Sequence, residues 1–190
     1  IERRDLWEKY GPQSPTGNFN SNPTEWMKVM TCPNDPTART GNRITMVVNG
    51  GTRGNSDNQN TAMFDDSWNG SITACSAGDG TSQTILLSEN VDARDWRDMD
   101  DDQICVCFQD SAIGFGGTVK NINVDLPEGE SRMPRASAYH AGGINVAFAD
   151  PHVTFIAETV DPAVWNLLFT PNGFDANQML VLDEKKLSSF

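Results

Sequence analysis

The residue types best suited to chemistry in this 190-residue chain gather in its last third, at His140, Asp150 and His152. An imidazole and a carboxylate can pass a proton or share a transition-metal ion, and Asp150 and His152, two apart, fall on one face of an extended strand. A metal-dependent enzyme using His140, Asp150 and His152 is therefore one reading. For His140 to meet Asp150, however, ten residues that span ~34 Å when extended must fold back at Gly142-Gly143. Structural roles are favoured instead. His140 is expected as a ring hydrogen-bonded to backbone carbonyls ahead of a hairpin, and Asp150 as a turn residue accepting its neighbours' N–H groups.

Asp98, Asp100 and Asp102 stand at alternate positions, as carboxylates do in calcium loops. The glycine expected at the sixth position is Gln103 and the glutamate at the twelfth is Gln109, so this is not an EF-hand. Calcium held loosely by the three aspartates is a further cofactor the sequence offers, beside the plainer reading of a solvated acidic loop. The four cysteines, Cys32, Cys75, Cys105 and Cys107, lack the Cys-x-x-Cys spacing of zinc ribbons and redox sites. They allow two disulfides or buried free thiols. Cys105 and Cys107 share one face of a strand, which favours bonds elsewhere over a bond to each other. Nothing matches Gly-x-Ser-x-Gly or a glycine-rich phosphate loop, and Ser88-Glu89 lacks the context of a nucleophile elbow. Trp7, Trp26, Trp68, Trp96 and Trp165 would make a sugar-stacking surface if exposed, with Trp68 and Trp96 in the polar segments that suit it.

The formal net charge of -12 repels nucleic acid phosphates and anionic membranes, which argues against a nucleic-acid partner. No run of 18 apolar residues occurs, and the opening Ile1-Glu2-Arg3-Arg4 reads as part of a mature chain or fragment. One domain over residues 1–190 is the expectation for this length.

The elements that must position these groups are short. Residues 1–10 read as the end of a helix stopped by Gly11-Pro12, and Pro23 to Met30 as two helical turns ended at Thr31-Cys32-Pro33. Ile44-Thr45-Met46-Val47-Val48 is a strand closed by Asn49-Gly50-Gly51. Thr84 to Glu89 and Gln103 to Phe108 are apolar strands, the first entered through an Asp79-Gly80 turn. Asn121 to Leu126 alternates as a half-buried strand does. Ile144 to Phe148 and Val153 to Ile156 form a β-hairpin around Asp150-Pro151. Asp161 then caps a short helix with Pro162 at its first position. The tail, residues 173–190, offers Met179-Leu180-Val181-Leu182 as a last strand or docking element.

The stretch from Ser137 through His140, Gly142, Gly143, Asn145 and Asp150 resembles the end of a bacterial prepilin-type family labelled by a His, nine residues, then Asp-Gly. Thr31-Cys32-Pro33-Asn34-Asp35-Pro36, Asn49-Gly50-Gly51-Thr52, the segment from Asp79 to Asn90, and Asp161 to Trp165 agree with that family in the same order. The resemblance implies a prepilin cleavage site and a long apolar anchoring helix, a part this sequence lacks, so membrane contact would come only through that missing N-terminal helix. Pro151 departs from the family's Gly. Proline cannot take the left-handed conformations of a type I′ turn, so a type I turn with Pro151 at its second position is expected.

The reading that follows is an α+β, pilin-like, mainly antiparallel β domain, with residues 1–10 ending the N-terminal helix and residues 137–172 forming the hairpin-helix motif. Its expected role is that of a non-catalytic extracellular, cell-surface or periplasmic subunit of pilin or pseudopilin type. Self-association into an oligomer or filament, alone or with other pilin-like subunits, would be its partnership. A secreted glycan- or solute-binding module is the alternative.

Overall fold

A computed structural model of the chain describes residues 4, 25–36, 43–53, 63–64, 71–93, 95–96, 104–109, 122–123 and 135–172. Five strands, β1 (Met46–Arg53), β2 (Ile85–Glu89), β3 (Cys105–Gln109), β4 (Gly143–Phe148) and β5 (Val153–Ala157), form one sheet in the order β3-β1-β2-β4-β5. Two short helices accompany it, α1 (Ile72–Ala77) and α2 (Pro162–Leu167). The α+β, mostly β class expected from the sequence holds. The sheet is mixed: β1–β2, β2–β4 and β4–β5 are antiparallel, and β1–β3 is parallel.

Alternation in β4 explains the main core. Ile144, Val146 and Phe148 point to one face, where Val47, Ile85, Val106 and Ile156 join them and Trp165, Leu168 and Phe169 of the α2 segment cover them. Residues adjacent in a strand face opposite sides, so Leu86, next to Ile85, belongs to a second, smaller cluster with Met63, Cys75 and Ala149. Helix α1 supplies Cys75 to that cluster. Its start is set by Ser71, whose hydroxyl accepts the Ala74 N–H at 3.1 Å.

β1 runs past the expected stop at Asn49-Gly50-Gly51. The strand survives those residues by a register shift against β3 between Asn49 and Thr52, with Gly51 at φ 80°. The fully buried Asn49 holds the irregularity. Its Nδ2 donates to the Ile85 and Phe169 carbonyls at 2.8 and 2.9 Å, and its Oδ1 accepts the Gly51 N–H at 2.8 Å. One buried amide thereby ties two strands to the end of the α2 segment.

Two further expectations, the helix before Thr31 and the turn at Pro151, are corrected. Of the two helical turns expected over Pro23 to Met30, the described part, residues 25–30, gives a single 3-10 turn, Lys28–Met30, because Thr31 is extended and its hydroxyl bonds back to the Met27 carbonyl at 3.0 Å. Of the strand expected over Asn121 to Leu126 only Ile122 and Asn123 are described: Ile122 makes an isolated parallel bridge to Ala136, and Asn123 sits at φ 53°. Pro151 sits at φ 33°, outside the range of a type I turn. Two local expectations held: Gly80 turns at φ 97°, and Asp161 Oδ1 accepts the Val164 N–H at 3.4 Å at the start of α2. Among the described residues, no helix is long and apolar enough to cross a membrane. Of residues 1–10 only Arg4 is described, and it is helical; the tail from residue 173 lies outside the described residues.

Candidate functional site

Three elements bring side chains of different chemistry to one point. Cys32 follows the 3-10 turn and is fixed because Thr45, entering β1, takes its N–H on the side-chain oxygen and donates its own N–H to the Met30 carbonyl. Glu89 ends β2, where the Ser137 N–H meets its carbonyl at 2.9 Å. His140 lies in the bend before β4, followed by Gly142 at φ 83°. His140 Nε2 stands 3.1 Å from Glu89 Oε1 and 3.4 Å from Cys32 Sγ. The other ring nitrogen, Nδ1, lies 3.3 Å from the Asn34 side-chain amide.

The expectation that the His140 ring bonds to backbone carbonyls is overturned, since its partners are a carboxylate, a thiol and an amide. A carboxylate buried in a sheet needs compensation, and Glu89 is only 1% exposed. Asn145 on β4 supplies part of it, donating to Glu89 Oε2 from its backbone N–H at 2.7 Å and its side chain at 3.3 Å. Oε2 is thus occupied and Oε1 is aimed at the ring. Burial, and then the Glu89 carboxylate against the opposing N–H of Asn34, push the Cys32 thiol up from its ordinary value. Thiol and carboxylate meet the same ring nitrogen, whereas a Cys-His-acid relay puts them on opposite nitrogens.

Asp150 belongs to a different place. Its Oδ1 accepts the His152 N–H at 3.2 Å and contacts the His152 ring nitrogen Nδ1 at 2.5 Å, and the ring stacks on Phe148 with centroids 4.4 Å apart. The hydrogen bond from His152 holds the Asp150 carboxyl below the usual carboxylate range. Asp150 is therefore the turn residue expected. The fold-back at Gly142-Gly143 sends His140 to Glu89 and Cys32 instead, so the grouping of His140 with Asp150 and His152 does not form. Among the described residues, Cys32, Glu89 and His140 are the one group of three such side chains close enough to hold a metal ion, with donor atoms all within 4.8 Å.

The other candidates resolve as follows. None of Cys32, Cys75, Cys105 and Cys107 is in a disulfide, and all four are buried. Cys75 Sγ faces Met63 Sδ at 3.0 Å, while Cys105 and Cys107 point to one side with their sulfurs 3.5 Å apart. Asp98, Asp100 and Asp102 lie outside the described residues, as do Trp7 and Trp68. Trp96, expected exposed, packs against the core and donates from Nε1 to the Glu25 carbonyl at 3.3 Å. Trp165 is a core residue, and Trp26 is exposed at the edge of the 3-10 turn. Sequence reasoning passed over Glu89 and Asn34. The signal for Glu89 was present: a carboxylate closing the apolar run Ile85-Leu86-Leu87-Ser88 has no cationic neighbour in sequence and must find a partner from elsewhere in the fold.

Compared with known proteins, residues 1–163 match the model of a family described as "Protein of unknown function (DUF1559)". No curated protein and no solved structure matches the chain.

Proposed function

The chain belongs to the DUF1559 family, and from that premise we propose that it is a non-catalytic, exported structural subunit of pilin or pseudopilin type that assembles with copies of itself. The finer kinship, to prepilin-type proteins marked by a His, nine residues and Asp-Gly, rests on His140, Gly142, Gly143, Asn145 and Asp150, with Pro151 in place of the usual Gly.

The supporting observation is strand β5. It stands at the end of the sheet and pairs with β4 alone among the described residues. On its outer face Val153 is 66% exposed and Phe155 51%, while Ile156 between them and Ala157 turns into the core. A strand edge with free backbone groups and apolar side chains is a template for pairing with another strand, and soluble monomers normally blunt it with charge or proline. The segment Val153-Thr154-Phe155-Ile156-Ala157 carries neither.

Light scattering and negative-stain electron microscopy of the purified chain test the reading. Concentration-dependent oligomers or ordered filaments are expected, and a Val153→Lys/Phe155→Lys double variant should stay monomeric with an unchanged circular dichroism spectrum. A wild-type chain that remains monomeric at every concentration and salt level would sink the proposal.

A further inference from the structure

Three side-chain atoms that can each give a lone pair to a metal ion, from Cys32, Glu89 and His140, converge in the site before β4, all within 4.8 Å of one another. If His140 Nε2 carries the proton, it can serve Glu89 Oε1 at 3.1 Å and only share with Cys32 Sγ at 3.4 Å. If Nε2 is bare, it faces the Glu89 carboxylate lone pair to lone pair. A single cation at that point would satisfy all three atoms. We infer that Cys32, Glu89 and His140 form a binding site for a borderline-soft divalent transition metal, zinc first, with one coordination position open to solvent.

The distances agree with the chemistry. Zinc–sulfur bonds of about 2.3 Å and zinc–nitrogen or zinc–oxygen bonds of about 2.0–2.2 Å at tetrahedral angles put sulfur and nitrogen about 3.5 Å apart and nitrogen and oxygen about 3.4 Å apart. The corresponding separations here are 3.4 and 3.1 Å. The remaining pair, Cys32 Sγ and the Glu89 carboxylate, lies within 4.8 Å, close enough for a turn of the thiol to bring it into range. Thiolate, imidazole and carboxylate together favour zinc over the hard, all-oxygen ions such as calcium and magnesium.

The surroundings are built as metal surroundings are. Asn145 occupies Glu89 Oε2 from both its N–H and its amide, leaving Oε1 as a single-oxygen ligand of fixed direction. The Asn34 amide nitrogen lies 3.3 Å from His140 Nδ1; a flip of that amide, which puts its oxygen there to accept the Nδ1–H, goes with the tautomer in which Nε2 is free to bind a metal. The Cys32 and Glu89 side chains are buried, but the His140 side chain is 25% exposed, so an ion has an approach path and water a fourth position. The ion would join three segments far apart in sequence: the loop before β1, the end of β2 and the bend before β4. This inference does not depend on self-assembly.

The test uses the whole chain, stripped with a chelator and kept reduced with a phosphine, then loaded with zinc or with cobalt(II) as a spectroscopic probe. Retention of one zinc per chain after gel filtration is expected, with a thiolate-to-cobalt charge-transfer band and tetrahedral visible bands. Cys32→Ser should abolish the charge-transfer band and weaken zinc binding at least tenfold; His140→Gln should weaken it similarly. Asn145→Ala should weaken it about 10–100-fold by releasing Glu89, whereas Cys105→Ser should leave stoichiometry and spectrum intact. Should Cys32→Ser fail to fold, His140→Gln, at a partly exposed side chain, decides. Zinc lost on gel filtration from the wild type, or held equally well by the His140→Gln chain, overturns the inference.

Discussion

Pro151 carries more strain than any other described position in the hairpin. The pyrrolidine ring holds φ near −65°, yet the tight path from Asp150 to His152 places it at φ 33°. Glycine takes that conformation freely. Pro151→Gly should therefore stabilise the chain by about 1 kcal/mol, the released strain of roughly 1–3 kcal/mol being offset in part by the freer unfolded backbone. Thermal unfolding measures it, and a lower midpoint for the glycine variant would contradict the strain argument. Asp150 beside it titrates. Because the His152 hydrogen bond depresses its folded pKa, its contribution is present above the unfolded value near pH 4 and is lost as pH falls through the folded value. The difference in denaturant midpoint between wild type and Asp150→Asn should be steady at neutral pH and vanish in strong acid. The turn role of Asp150 was legible because its partners are two residues away. The partners of His140 were not, because Glu89 and Cys32 lie 51 and 108 residues from it and only the closed sheet brings them in.

At the scale of elements, the two glycines at the start of β4, Gly142 just before it and Gly143 its first residue, do different work, and substitution separates them. A methyl group on Gly142 would meet nothing within 4 Å, so Gly142→Ala should cost only the left-handed backbone penalty of about 1–2 kcal/mol. On Gly143 the same methyl would lie 2.2 Å from the Ile156 carbonyl oxygen and 2.8 Å from the Phe155 ring, across the β4–β5 ladder. Backbone cannot step aside as a side chain can, so Gly143→Ala should be the more destabilising of the two in urea, by roughly 3 kcal/mol or more. The reverse order would mean that the ladder opens readily at its end. Strands β2, β3, β4 and β5 and helix α2 were readable because apolar runs, an Asp-Gly turn and an Asp-Pro cap mark them. Helix α1 was not. Its six residues, Ile72-Thr73-Ala74-Cys75-Ser76-Ala77, are too few for a helical period to show, and Ser71 alone signals its start. β1 was cut short because Asn49-Gly50-Gly51 has the composition of a turn; the buried amide of Asn49 and the room under Gly50, where a Cβ would meet Cys105 and Cys107 sulfurs at 2.9 and 2.8 Å, keep it in the sheet.

For the molecule as a whole, strand order is the part that local pattern cannot supply. The parallel pairing of β1 with β3 joins segments separated by β2 and long connections, and no turn chemistry announces it. The same order leaves β5 outermost, with Val153 and Phe155 exposed, on a chain whose net charge is -12. These two features oppose each other. Apolar burial at β5 draws copies together at short range, while like charge repels them over a distance set by ionic strength, ~30 Å at 0.01 M and ~8 Å at 0.15 M. If assembly runs through this edge, it should be suppressed in low salt and promoted as sodium chloride rises toward physiological strength. The lysine pair of Val153→Lys/Phe155→Lys reduces the repulsion by adding two positive charges and yet removes the apolar contact, so it separates the two terms. Sedimentation velocity across a salt series should find the wild type associating with added salt and the double variant monomeric throughout. Association of the double variant at least as strong as wild type would place the driving force in charge alone and the contact away from β5.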